Sequence, residues 1–273
     1  MPDVGRFFNV DPLSEKYSYQ SHYNFSENRV VNARELEGLE AWVVNGREMT
    51  NAMPGWKTDA RAVGFGLRHP IAASQIGTVA SGSTNISSVA GRFARHFADG
   101  TGTSKDIGSP SNALRHGLWS AMIRSEFDAG ISKRATNAHE GVGIGESQYV
   151  DMSKPFTGTG TDGANLADHI VDVLNNNIGM GIAEANPNAN TKDLVSAVLG
   201  EFKNNGLWTF STDKDGNVSI TRSKLTDSQY NTAVKTVNSL NSNGFSKDEQ
   251  QKIDDQTRKS QEAMKSMGQS AGW

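Results

Sequence analysis

The sequence predicts a mainly α-helical protein with a minor β-hairpin. Three observations carry that reading: apolar residues recur at helical spacing, helix-start signals appear repeatedly, and a single Asp-Gly turn separates two β-prone runs. Only 7 prolines in 273 residues leave the helical stretches uninterrupted, while 28 glycines point to long and numerous loops between them.

Residues 1–41 are dense in aromatic side chains and lack helical periodicity, and so short a piece cannot bury a core alone. Beyond Ala41-Trp42-Val43-Val44 and a turn at Asn45-Gly46, helices are expected over 59–67 and 86–97. The second carries Ile86, Val89, Phe93 and Phe97 on one face. Composition makes Gly100 to Gly108 a loop, so that 42–108 reads as a linker and helical lead-in to a domain over 109–273.

Ser109 at the N-cap and Pro110 at the first helical position start a helix that should run to about Phe127 and end near Gly130. A shorter one over 131–140 is stopped by Gly141. After a Gly/Thr-rich loop over 157–163, a third helix is expected over 165–182, with Leu166, Ile170, Val173, Leu174 and Ile178 inward. A fourth is expected over 193–202.

Asp215-Gly216 between Leu207-Trp208-Thr209-Phe210 and Val218-Ser219-Ile220-Thr221 predicts a hairpin over 207–221. A calcium loop is rejected there, because with Gly216 at loop position 6 a bidentate glutamate is required where Arg222 stands. Thr226/Gln229 and Ser246/Glu249 have capping-box spacing and open two further helices, the last a solvated one over 247–267. No internal repeat of fixed period is present.

The formal net charge is −3 and no block of like charge stands out. The basic candidates, Arg92/Arg95 and Lys252/Arg258/Lys259, are diluted by acidic neighbours, so electrostatics give no sign of a nucleic-acid partner. With 0 cysteines the chain has no disulfide, thiolate nucleophile or cysteine metal ligand. No run reaches the roughly 18 apolar residues of a spanning helix, and the N-terminus lacks the order of a secretory signal.

Three polar signatures fall inside helical pattern: Asn112-x-x-Arg115-His116-x-x-Trp119, His139-Glu140, and Asp172-x-x-Asn175-Asn176-x-x-Gly179. Core helices do not need such clusters, so together they suggest one shared polar site. On the first helix Asn112 is positioned to fix the His116 ring and Arg115 to stack on Trp119. His139 or Glu140 projects from a helix end. Asp172, Asn176 and Gly179 share a face, with Asn175 beside them, and Gly179 allows close approach of another helix or a ligand. Each signature also has a structural reading: a core tryptophan with a bonded histidine, a helix cap, and a buried network.

Two resemblances add context. The run Gly5-Arg6-Phe7-Phe8, Asp11-Pro12-Leu13, Tyr23-Asn24-Phe25, Asn28-Arg29 and Glu35-Leu36-Glu37-Gly38 resembles the end of the RHS repeat-associated core, in the version typical of Bacteroidota. That resemblance implies a short irregular/β core remnant over 1–41, followed by a variable toxin-like part. The three polar signatures are similar to those of a helical family labelled a domain of unknown function, found at the ends of polymorphic toxins. The resemblances imply an effector of interbacterial competition, secreted or delivered into a neighbouring cell by a contact-dependent system such as type VI secretion. The implied partners are a cognate immunity protein, the RHS core or secretion machinery, and a target-cell substrate.

The residue types suit hydrolysis by activated water, with His116, His139, Glu140 and Asp172 as acid/base groups and Arg115 or the Asn amides steadying negative charge. A divalent metal ion is an open alternative, bound through His116, His139 or Glu140, and Asp172. The expected substrates are a lipid, a lipid-linked cell-wall precursor or a small nucleotide. Two other classes stay open: a non-enzymatic membrane- or target-binding toxin whose polar cluster is structural, and a nuclease.

Overall fold

The computed structural model describes residues 33–35, 41–43, 49–52, 58–140, 148–151 and 155–270. The aromatic motifs of 5–30, the Asn45-Gly46 turn and the Gly141 stop lie outside the described residues. Strands β1 (Ala33–Glu35), β2 (Ala41–Val43) and β3 (Met49–Ala52) precede helices α1 (Thr58–Arg68), α2 (Pro70–Ile76), α3 (Ile86–Thr101), α4 (Pro110–Glu126) and α5 (Ala129–His139). Then come β4 (Gln148–Asp151), β5 (Gly158–Thr159), α6 (Gly160–Ala185), α7 (Thr191–Asn204), β6 (Leu207–Thr212), β7 (Asn217–Ser223), α8 (Asp227–Ser239) and α9 (Lys247–Ser270). The fold is mainly α with a minor β element: β1 pairs with β2, β3 with β4, and β5-β7-β6 form a small antiparallel sheet.

Capping chemistry sets the helix starts. Ser109 Oγ accepts from the Asn112 amide at 3.3 Å, and Asp128 Oδ1 accepts from the Ile131 amide at 2.8 Å. Reciprocal boxes close at Thr226/Gln229 and Ser246/Glu249, as their spacing predicts, and a third closes at Asn190/Asp193. Each satisfies amides that the first turn of a helix otherwise leaves unpaired.

Several boundaries differ from expectation for identifiable reasons. Gly130 does not end α4. It is buried inside α5, whose N-cap is Asp128. Within the Gly/Thr-rich stretch 157–163, residues 158–163 are β5 and the first turn of α6, because Gly163 packs on the Gly158 backbone, where a Cβ would lie 2.7 Å from the carbonyl carbon. Leu166 is exposed on the outer face of α6. α3 covers the helix expected over 86–97 and continues through Gly100, and Val89, Phe93 and Phe97 lie in the main core.

That core is built around α4. Its buried positions, from Ser111 to Ile123, cover the whole circumference, and α3, α6, α7 and β6 pack on it. Leu114, Leu118 and Ile123 meet Phe93 and Phe97 of α3 and Val195, Val198 and Phe202 of α7 in one apolar cluster. In α6 every residue from Ile170 to Asn176 is buried. A helical stretch enclosed on all sides has no solvent face for polar side chains, so those of α4 over 111–123 and of α6 over 170–176 must find partners in the protein.

Candidate active site

The two enclosed helices cross at glycines. A Cβ on Gly179 would lie 2.0 Å from the Gly117 carbonyl oxygen, so the α4 and α6 backbones touch with no side chain between them. Asn112 lies opposite Asp172 just as Gly117 lies opposite Gly179, so both helices run in the same sense through the contact. Gly179 therefore admits another helix, and that helix is α4.

N-terminal to the crossing, the three polar signatures meet. Asn112 Nδ2 donates to Asp172 Oδ1 at 3.0 Å, and Arg115 Nη2 donates to Asn112 Oδ1 at 2.6 Å. The same Arg115 nitrogen is 3.0 Å from His116 Nε2, which also stands 3.3 Å from Asp172 Oδ2. His116 Nδ1 stands 3.3 Å from Glu140 Oε1 without hydrogen-bond geometry and has no other partner. Glu140 Oε1 accepts from His139 Nδ1 at 2.9 Å and from Asn176 Nδ2 at 3.0 Å.

The environments of the two carboxylates differ. Burial raises Asp172 well above the usual carboxylate range, and the charges of Glu140 and Asp168 add to it against those of His116 and Arg115. Burial would raise Glu140 too, but the charge of His116 and the hydrogen bond from His139 outweigh it and hold this carboxyl below its usual range. Glu140 is thus an ionised acceptor, and His139 Nδ1 must be the donor. That leaves His139 Nε2 with a lone pair whenever the ring is neutral.

Some residues do otherwise than their spacing suggested. Asn112 fixes Asp172 and Arg115, not the His116 ring. Arg115 does not stack on Trp119, which instead packs against His139 at 4.8 Å between ring centroids and donates through Nε1 to Ser87 Oγ. Asn175 faces away from Asn176, as adjacent helix positions about 100° apart must; its amide donates to the Trp208 carbonyl at 2.8 Å and its oxygen accepts from the Trp208 amide at 2.9 Å. It ties β6 to α6. Asn175→Ala is expected to lower stability by about 1–3 kcal/mol, since two part-buried backbone groups of Trp208 lose their partners, seen as a lower urea midpoint with an unchanged slope.

Sequence reasoning missed Asp168. It lies one turn before Asp172 on the same face, half-buried, with Oδ1 unpaired and its carboxyl raised by burial. The i, i+4 spacing of the two aspartates was the available signal. His169, also half-buried, is the residue next to Asp168.

A cavity of about 650 Å³ opens onto the cluster, and Arg115, His116, Trp119 and His139 line it. Glu140 and Asp172 do not line it; they lie behind the histidines. The His139 side chain is 51% exposed, whereas that of Glu140 is 4%. The same region can hold a metal ion: His116, Glu140 and Asp172, all buried, each offer one ligand atom, and these lie within 4.8 Å of one another. A nitrogen donor with two carboxylates suits a divalent cation, and His116 Nδ1 and Asn176 Oδ1 are both buried without a hydrogen-bond partner.

Among the described residues no helix is long and apolar enough to cross a membrane. No curated protein and no solved structure matches the chain. The profile of a domain of unknown function, DUF6973, matches residues 68–206, from the end of α1 to the start of the hairpin, and enclosed in that span are α4, α5, α6 and every residue of the polar cluster. Matched over half its length, the chain belongs to the DUF6973 family.

Proposed function

We propose that this protein is a hydrolase in which His139 is the general base, serving as the C-terminal toxin of an RHS-type effector. The observation that carries the reaction is the His139–Glu140 pair: an ionised, buried carboxylate holds Nδ1 at 2.9 Å while the ring is half-exposed at a cavity. A histidine fixed in this way presents a basic Nε2 to water. Nε2 takes the proton, the hydroxyl oxygen bonds to the electrophilic carbon or phosphorus of an ester, and the ester bond breaks. The leaving oxygen then receives the proton from His139. Arg115, on the same wall, stabilises the negative charge that develops. Asn176 orients Glu140, and Asn112 holds Arg115.

The toxin context rests on the core-like motifs of residues 1–41. It includes contact-dependent delivery into a neighbouring bacterium and neutralisation by a cognate immunity protein. A second reading is favoured by the ligand set at His116, Glu140 and Asp172: a bound divalent cation would act as a Lewis acid and lower the pKa of water. Calorimetric titration with Zn²⁺ and Mn²⁺ tests it, and unchanged binding by Asp172→Ala would dismiss it.

The main experiment is expression of the full chain in bacterial cytoplasm and periplasm, with and without the product of the adjacent gene. Growth arrest is expected in one compartment and relief by the neighbour. His139→Ala should fold like the parent, because its ring is half-exposed, and should be harmless. A folded His139→Ala protein that still arrests growth would end the hydrolase reading.

A further inference from the structure

The walls of the cavity are as informative as its catalytic side. Ala62 and Phe65 of α1, Ala73 and Ile76 of α2, and Ala135 and Ala138 of α5 form an apolar lining. Polar groups are confined to few places. Ser87 is occupied, donating to the Gly77 carbonyl and accepting from Trp119, so it offers little to a ligand. Thr78 sits at an exposed position. The polar side chains that remain are Arg115, His116 and His139, of which Arg115 carries a fixed positive charge, and no carboxylate lines the cavity among the described residues.

A volume of about 650 Å³ is that of a site for a small molecule. Its chemistry is two-sided. Apolar walls stabilise a hydrocarbon chain by removing it from water, at about 0.8 kcal/mol per methylene. They offer no hydrogen-bonding edge with which to read a nucleobase or sugar. The cationic side favours a phosphate or carboxylate, which a guanidinium attracts by its fixed charge. Glu140 and Asp172 lie behind the histidines and present no carboxylate oxygen to such a head.

We infer that the cavity takes an anionic amphiphile, its chain against α1, α2 and α5 and its acidic head at Arg115 and His139. This names a substrate class for the hydrolase and rests on that reading for turnover; binding can be measured apart from it. A phospholipid and a prenyl phosphate share this chemistry. The small nucleotide, considered from sequence, does not.

Glu140→Gln in the full chain, which keeps the cavity lining, serves as the host for calorimetric titration. The probes are dihexanoyl phosphatidylglycerol, dihexanoyl phosphatidylcholine and farnesyl phosphate below their micellar concentrations, and adenosine monophosphate. One or both anionic amphiphiles should bind at least ten-fold more tightly than the phosphatidylcholine and the nucleotide, and their order identifies acyl or prenyl chemistry. Arg115→Gln should remove that preference for charge, and Ala62→Trp, at an exposed lining position, should weaken every amphiphile ten-fold or more. Nucleotide binding as tight as that of the amphiphiles, equal binding of both phosphatidyl heads, or no amphiphile binding would each overturn the inference. The hydrolase reading fails separately: the parent protein would bind the preferred amphiphile and leave it intact. Conversely, turnover of a nucleotide without amphiphile binding would overturn only the substrate class.

Discussion

Gly179→Ala is expected to destabilise the protein by about 3 kcal/mol or more, the upper end of overpacking effects, and to lower the melting temperature by roughly 6–12 °C. The added methyl would lie 2.0 Å from the Gly117 carbonyl oxygen and 2.2 Å from Ser120 Oγ. The first of these is backbone, which cannot rotate aside. Helix propensity acts the other way, since alanine is better than glycine in a helix interior by about 1 kcal/mol. Gly181 is the control: it lies two residues further along α6 and its Cβ would meet nothing within 4 Å, so Gly181→Ala should be neutral or mildly stabilising. Thermal melts of the two variants check the pair of outcomes. If Gly179→Ala melts as Gly181→Ala does, the glycine-on-glycine crossing is wrong.

The second large effect falls on the reaction. Glu140→Gln is expected to reduce kcat by about 10³–10⁴-fold while leaving the fold intact, a loss of the size seen when the orienting carboxylate of a histidine is made an amide. The amide keeps the shape of the carboxyl, and with its oxygen in the place of Oε1 it still accepts from both Asn176 and His139. It lacks the negative charge that stabilises the imidazolium formed when Nε2 takes a proton, so His139 becomes a weaker base. Steady-state kinetics against the preferred ester, together with a thermal melt, checks the split. A Glu140→Gln protein with parental kcat would remove Glu140 from the mechanism.

Local chemistry made much of the fold legible before any coordinates. The starts of α4, α8 and α9 are written in Ser109-Pro110, Thr226/Gln229 and Ser246/Glu249, and the hairpin in Asp215-Gly216, whose glycine takes a φ of 81°. What depends on packing was not legible. Glycines at 158, 160 and 163 look like loop composition, yet Gly158 and Gly163 are there for close backbone contact at the start of α6. A strand of two residues such as β5 carries no periodicity to detect. The seven-residue α2 is too short to show a face.

For the site, the distinction was similar. That Asn112, Arg115, His116, His139, Glu140, Asp172 and Asn176 gather in one place followed from three helices with unexplained polar residues. Their pairings did not, because hydrogen-bond partners across helices depend on a crossing that no single helix encodes. Asn175 shows the limit: it satisfies the same propensity argument as Asn176 but points to β6.

The crossing is also a pivot. Gly117 and Asn112 are five residues apart, a lever arm of about 7.5 Å along the axis of α4, so a change of roughly 5° in the angle between the helices would move Asn112 by about 0.7 Å relative to Asp172. With backbone against backbone at the fulcrum, substitutions far from the cluster that tilt α4 against α6 would detune the site at amplitudes too small to register in a melting curve.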